Sequence, residues 1–377
     1  MDLVTTWRAA RPATPYLYLD NAAAGRASTA TQQAVTAHMA AEAQVGAYVA
    51  QARAAEALSS LRADLGGLLG VGAGDVGLVE SASTALAQLL ASWPLATGDV
   101  VACAPSEWGP NLAAFADRGL RVVDLPVDGA GLVDLDRLPA FLDRTRPALV
   151  HVTVAAAHRA LVQPAPTVVE RCREAGVPVV CDLAQALGQV AVHDLGADAV
   201  YGTGRKWLAG PRGVGYLAVG PGAAPRLRPV WPALRVDDWP GDVPLAHRLE
   251  SREAHVAGRL GLARAVREHL DLGPEGVYAA LADAGRRTRL ALADLPGWSV
   301  AEEPDAPGAV TTLLPPPGLD PAQARARLFD EHRVVVTAAG VERAPREMTR
   351  PVLRLAPHVD LGPDDLTRLH TALAALT

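Results

Sequence analysis

Lysine is almost missing from this chain, which carries 34 arginines and a single lysine, Lys206. Arginine supplies surface charge and pairs with carboxylates as well as lysine does. It cannot act as a primary amine that loses its proton and condenses with an aldehyde. A sequence that has otherwise drifted to arginine, yet keeps one lysine, points to a need for that amine. Cysteine is sparse as well. Cys103, Cys172 and Cys181 form an odd set without metal-ligand spacing, so reduced thiols and a cytoplasmic location are expected. No uninterrupted apolar run approaches the roughly 20 residues of a membrane span. The opening MDLVTTWRAARP has neither the basic nor the apolar region of a signal peptide. No basic block occurs and the net charge is −6, which argues against nucleic acid as a partner. Repeats and long low-complexity tracts are absent too.

What is present is a large apolar fraction. Half of the 377 residues are hydrophobic and 20% are charged, enough for a sizeable core and two or three structural units. Short Val-rich runs at 76–79, 100–104, 121–125, 148–154, 177–181, 199–202 and 214–219 read as strands. Helix-length segments at 83–93, 111–118, 135–144 and 165–175 lie between them. This alternation predicts an α/β fold with a mostly parallel seven-stranded sheet covered by helices. Beyond Pro240 the texture changes. A long helix is expected at about 246–270, then helices and short strands, and a last helix at 364–376. The expected division is a large domain over 15–245 and a smaller α+β domain over 246–377 together with residues 1–14.

The neighbours of Lys206 are informative. Val179-Val180-Cys181-Asp182 reads as a buried strand ending in a carboxylate, and open α/β sheets bind ligands at strand carboxyl ends. An Asp there either caps the next helix or faces a cationic ring nitrogen. A second strand leads into Thr203-Gly204-Arg205-Lys206, followed by Gly210-Pro211-Arg212-Gly213-Val214-Gly215. Ser83-Thr84 opens a helix after a strand, where hydroxyls and helix amides converge on a phosphate or simply cap the helix.

Asp182-x-x-Gln185, Thr203-Gly204-Arg205-Lys206 and Gly210-Pro211-x-Gly213-x-Gly215 resemble the pyridoxal-phosphate motif of class V aminotransferases, a group of fold type I. The resemblance runs from Tyr18-Leu19-Asp20-Asn21-Ala22-Ala23 to Val352-Leu353-Arg354-Leu355-Ala356-Pro357-His358. It implies pyridoxal 5'-phosphate as cofactor, held by Lys206 as a Schiff base, with the freed amine then moving the substrate α-proton. It implies Asp182 on the ring nitrogen, Gln185 near the ring hydroxyl and Trp108 stacked on the ring where relatives often carry His. Ser83, Thr84, Thr203 and Arg205 would hold the phosphate, and Ser251 and Arg252 would reach a neighbouring subunit's phosphate. An exposed helical ion-pair set is the alternative for 250–253. Arg354 would fork onto the substrate carboxylate, and Asn21, Ala22 and Tyr48 would lie on the substrate side. The active site would sit at a homodimer interface.

Two departures from the family shape the expectation. The region 338–348, where desulfurases carry a sulfur-accepting cysteine on a mobile loop, has none. Val154 stands where relatives place a polar residue near the cofactor hydroxyl; either His158 or Arg159 compensates, or nothing does. Residues 18–28, 107–111 and 250–262 look most like the C–S lyases of ergothioneine biosynthesis. That resemblance implies β-elimination from hercynylcysteine S-oxide to the thiol-imidazole, pyruvate and ammonia. Tyr48, Trp231 and Trp239 are candidates to face the substrate's trimethylammonium group, with core or interface roles as the alternative. Other readings are a cysteine or selenocysteine lyase, an epimerase-like enzyme, or a non-catalytic relative serving as a scaffold. A nicotinamide-binding protein fits poorly, because no Gly-rich loop opens a helix after the first strand.

Overall fold

The computed structural model describes residues 2–228, 243–251 and 253–376. Eight strands come first: β1 (Leu17–Tyr18), β2 (Val76–Val79), β3 (Val100–Cys103), β4 (Arg121–Asp124), β5 (Leu149–Thr153), β6 (Val179–Asp182), β7 (Ala199–Thr203) and β8 (Gly215–Val219). Strands β2 to β8 form one sheet in the order β2-β8-β7-β6-β5-β3-β4. Only β8 runs against the others, pairing antiparallel with both β2 and β7. All seven expected strands are in this sheet, with ends shifted by a residue or two. They are legible because a parallel strand covered on both faces must be apolar at nearly every position.

Alternate residues along these strands enter two separate cores. Leu78, Ala102, Val150, Val152, Val179, Cys181 and Val200 face one way, against helices Ala55–Leu69, Ala165–Glu174 and Val256–Asp271. Val79, Val101, Leu149, Val180, Ala199 and Tyr201 face the other, against helices Ala82–Ser92 and Gly109–Asp117. That is the period-2 geometry of a strand.

A second sheet gathers β9 (Ser299–Val300), β10 (Thr311–Leu314), β12 (Thr337–Ala339) and β13 (Val352–Leu355) in the order β12-β13-β10-β9. It packs in its own core with helices Pro274–Leu292, Pro321–His332 and Pro363–Ala374. β11 (Val334–Val335) pairs with β1, so the N-terminal segment is tied to this body. Helix Val256–Asp271, beyond residue 245, contributes Val256, Leu262 and Val266 to the core of the seven-stranded sheet.

The expected long helix over 246–270 is not continuous. Two helices stand in its place, a short one at Leu245–Arg248 and a second at Val256–Asp271. The physical reason is Glu250. Its carboxylate accepts from Arg62 at 2.8 Å, from Arg259 at 2.9 Å and from the Leu78 amide at 2.9 Å. The three side chains are largely buried. One acid thus joins two helices to the edge of β2, and the local helical pattern yields to it. The alternative of an exposed ion-pair set at 250–253 is set aside for Glu250.

Replacing Glu250 with Gln keeps the shape but leaves two buried guanidinium groups without a counter-charge. We expect a loss of about 3–5 kcal/mol of folding stability, measured by urea unfolding. A loss below about 0.5 kcal/mol, the scale of an ordinary surface substitution, would show that the triad is incidental.

Candidate active site

Chemistry-bearing residues collect at the carboxyl ends of β2, β3, β5, β6 and β7. This is the edge at which an open α/β sheet presents ligands. Asp182 is the last residue of β6, and Thr203 the last of β7, with Lys206 three residues on. A cavity of about 600 Å³, lined in part by Val177, Val179, Ala197 and Asp198, lies instead where β6 and β7 begin. It holds none of the expected site residues.

Lys206 is only 8% exposed. Burial, with the nearby charges of Arg205, Arg354 and Arg343, pulls its ammonium down to about 7, against the opposing pull of Asp182. Desolvation favours the neutral amine, and neighbouring cations add to it. Nζ lies 5.9 Å from the centre of the Trp108 ring. Among the described residues it makes no hydrogen bond. The amine is therefore buried, close to neutral and unengaged, which suits condensation with a carbonyl.

The N-terminal loop closes over this lysine. The Gly25 amide donates to the Arg205 carbonyl at 2.7 Å. A Cβ on Gly25 would collide with the Lys206 carbonyl oxygen, so the close approach requires glycine. Asn21 donates from both its backbone amide and its side chain to the Ala356 carbonyl. Gln185 donates to the Ala22 carbonyl at 2.9 Å and accepts from the Trp207 indole at 3.0 Å. Both ends of its amide are thus taken by protein groups.

Asp182 is buried and well supplied with donors. Its Oδ1 accepts from the Ala184 amide at 2.7 Å, and its Oδ2 accepts from Asn111 at 3.0 Å and Tyr201 at 3.2 Å. Arg354 enters from the second sheet and is fully buried. It donates to the Ala157 carbonyl, to Asp20 and to Thr337, while its Nε has no partner. Burial, with the charge of Arg343, pulls it down to about 10 despite Asp20.

The expected phosphate donors are placed differently from the sequence reading. The helix cap is Ser81, whose Oγ accepts from the Thr84 amide at 3.0 Å and lies 2.9 Å from its hydroxyl. Ser83 is exposed in the first turn, where amides have no intrahelical acceptor. The sequence reading missed Ser81 because two serines and a threonine within four residues all qualify as caps. Thr203 reaches the Val214 carbonyl at a long 3.4 Å. Arg205 is half-buried, its charge disfavoured by burial and by Arg212. Ser251 is half-buried. Arg252, Trp231 and Trp239 lie outside the described residues. Tyr48 is 83% exposed on helix Ala47–Arg53, so one chain alone does not bring it to Lys206.

Val154 is buried, and neither expected substitute is free. His158 and Arg159 both pair with Glu347. That pairing helps to anchor the region 338–348, together with Arg346 on Asp124 at 2.7 Å. Arg343 sits in a short 3-10 turn here, and its charge is felt at both Lys206 and Arg354. Sequence reasoning treated this region only as lacking cysteine and did not single out Arg343. The three cysteines are buried and free. Burial pushes the Cys172 thiol up to about 12 and raises Cys103 and Cys181 well above the ordinary thiol range.

Comparison with known proteins agrees with this geometry. Residues 17–338 match the class V aminotransferases. The chain belongs to that family. It is 46% identical, over 376 residues, to a probable hercynylcysteine sulfoxide lyase of Mycobacterium tuberculosis, covering all of this chain and 94% of that protein. It is 30% identical to an isopenicillin N epimerase of Streptomyces clavuligerus over 69% of this chain and 67% of that one. Among solved structures, the cysteine desulfurase CsdA of Escherichia coli superposes with a TM-score of 0.86 at 19% identity, over 99% of this chain and 98% of that one. The cystine C–S lyase C-DES gives 0.84 at 19%, over 96% and 98%. These likenesses confirm the fold type.

The lone lysine allows a clean measurement. Reductive methylation with ¹³C-formaldehyde labels one side chain besides the chain's α-amine. In cofactor-free protein its resonance should titrate near pH 7, and Asp182→Asn should lower the midpoint further by removing the opposing carboxylate. A midpoint near the ordinary 10.5 would refute the burial argument.

Proposed function

We propose that this class V enzyme is a pyridoxal-phosphate-dependent C–S lyase that performs β-elimination on hercynylcysteine S-oxide. The carrying observation is the state of sulfur in the chain. All three cysteines are buried with their thiols held protonated. The region that bears the desulfurase cysteine is anchored by Glu347 and Arg346 and has no thiol. A thiol is nucleophilic only as accessible thiolate, so a persulfide relay lacks its acceptor. The full-length likeness to a probable hercynylcysteine sulfoxide lyase supports the same reading.

The residues fit the cofactor by their chemistry: a buried amine near neutrality, a hydrogen-bonded carboxylate at a strand end, an indole beside the amine, and hydroxyls at a helix start. Pyridoxal 5'-phosphate, when bound, supplies an aldehyde that takes an amine and a ring that draws electron density from the substrate α-carbon. Lys206 would attach it and, once displaced by the substrate amine, would accept the α-proton at Nζ. Asp182 would hold the ring nitrogen and its proton, Trp108 would flank the ring, and Gln185, through its bonds to Ala22 and Trp207, would shape the pocket for it. Ser83, Thr84, Thr203 and Arg205 would take the phosphate, with Ser81 fixing the helix start.

Arg354 holds the α-carboxylate, and Asn21 and Ala22 line the substrate side. A sulfenate leaves more readily than a thiolate, so no accepting cysteine is needed. The Cβ–S bond breaks, the sulfenate keeps the electron pair, and the aminoacrylate hydrolyses to pyruvate and ammonia. Two equivalents of an external thiol must then reduce the sulfenate to the thiol-imidazole, leaving as their disulfide with release of water.

The proposal includes a homodimer in a cytoplasmic setting. Tyr48, Val49 and Met39 are exposed apolar side chains on neighbouring helices that a second subunit would cover, and Ser251 would reach across. No helix among the described residues is long and apolar enough to cross a membrane.

Purified protein with added pyridoxal phosphate should absorb in the visible, and borohydride should fix the cofactor on Lys206. Lys206→Arg should abolish both the band and turnover while the fold persists. Pyruvate should form faster from hercynylcysteine S-oxide than from cysteine. Faster turnover of cysteine, with sulfide released, would refute the substrate.

The cysteines give a separate check. Changing Cys103, Cys172 and Cys181 together to Ala should leave kcat within about twofold, with only the small stability loss of trimmed core atoms. Loss of turnover in a folded triple variant would reinstate a sulfur relay.

A further inference from the structure

Behind Asp182 lies a set of buried polar groups that the mechanism above does not use. Glu107 and His151 are both completely buried, and His151 Nδ1 lies 2.8 Å from Glu107 Oε2. Glu107 Oε1 accepts from Thr153 at 2.7 Å, from Asn111 at 2.8 Å and from the Trp108 amide at 2.9 Å. His151 Nε2 lies 3.0 Å from the Tyr201 hydroxyl, which lies 3.2 Å from Asp182 Oδ2. Asn111 Nδ2 joins the two carboxylates, reaching Glu107 on one side and Asp182 on the other. The Phe115 ring meets His151 edge-on at 5.2 Å.

We propose that Glu107, His151 and Tyr201 form a charge chain that fixes the protons around Asp182, making them positioning residues for the ring nitrogen. The inference rests on the reading that Asp182 faces that nitrogen. Two buried carboxylates sharing one amide nitrogen repel each other, and one would take up a proton unless a cation stands between them. His151 is the group placed to be that cation. Its burial works against a charge, but Glu107, with help from Asp182, outweighs this and raises its pKa. Burial likewise works to protonate Glu107, and His151 reverses the outcome. Tyr201 stays neutral, held so by burial and by the two acids. Cys103, on β3, also stays neutral, through burial and Glu107.

The proton count then gives the chain a direction. A doubly protonated His151 donates to Glu107 and to the Tyr201 oxygen, so the Tyr201 hydroxyl has only Asp182 left to donate to. A neutral His151 would offer Nε2 as an acceptor, and Tyr201 could turn away from Asp182. A carboxylate has about four acceptor positions. Three on Asp182 are filled by Ala184, Asn111 and Tyr201. That leaves one on Oδ1 for an outside N–H.

The test starts without cofactor. ¹⁵N NMR of the histidine rings in cofactor-free protein should show both nitrogens of His151 still protonated at pH 7, above the ordinary histidine value of 6.5, and Glu107→Gln should make this ring neutral at pH 7. In the loaded enzyme, Tyr201→Phe removes one oxygen from the chain and should lower kcat about tenfold with KM unchanged. It should also move the pH midpoint of the visible band. A neutral His151 at pH 7 in the unaltered protein would overturn the proposal. So would a Tyr201→Phe enzyme altered only in melting temperature. Failure of the underlying reading is distinguishable. Asp182→Asn would then leave the visible band and turnover unchanged, overturning the role at the ring nitrogen while the His151 resonances stayed as expected.

Discussion

The structure turns on burying one primary amine without letting it stay an ordinary ammonium. Desolvation alone would make Lys206 neutral, and Asp182 alone would keep it charged; the balance settles near 7. That balance depends on where the surrounding charges are fixed. Asp182 is set by the end of β6 and the amide of Ala184, Arg354 by its strand in the second sheet, and Gly25 by its contact with the lysine backbone. The two sheets and the N-terminal loop meet at this point, so the packing of the molecule and the protonation of one nitrogen are a single problem.

Much of this was legible in the sequence. The seven strands announced themselves because burial on both faces forces runs such as Leu149-Val150-His151-Val152. That Asp182 closes one strand and Lys206 follows another was legible from the apolar runs before them, whereas Trp108 and Arg354 were singled out by the family resemblance and not by any local pattern. What escaped depends on tertiary partners that no local pattern encodes. The break after Arg248 follows from Arg62 and Leu78, more than 170 residues earlier. Glu107 and His151 are 44 residues apart and meet only because β3 and β5 are neighbours. His151 looked like one polar residue in an apolar strand. Glu107 looked like a member of a loop noted for its tryptophan. Arg343 was hidden by composition: among 34 arginines, one more carries no signal.

The region 338–348 shows how an absence can be structural as well as chemical. The cysteine is missing, and the segment is also fastened by Glu347 to His158 and Arg159 and by Arg346 to Asp124. A loop that carries sulfur between a site and an acceptor must move. A loop that only walls the site is better held in place. The same pairing occupies the two side chains that could have replaced the polar group lost at Val154. The carboxyl end of β5 therefore presents an apolar wall of Val154, Ala155 and Ala156.

The arginine bias then has a consequence at the site itself. Arg205, Arg343 and Arg354 all act on Lys206. Lysines there would also lower its pKa, but each would be another amine able to condense with an aldehyde. Guanidinium groups stay protonated and do not compete. A site that must hold an aldehyde at one nitrogen gains selectivity when every neighbouring cation is an arginine. Lys206 is thus singular in chemistry as well as in composition: among the side chains, it is the only amine an aldehyde can find.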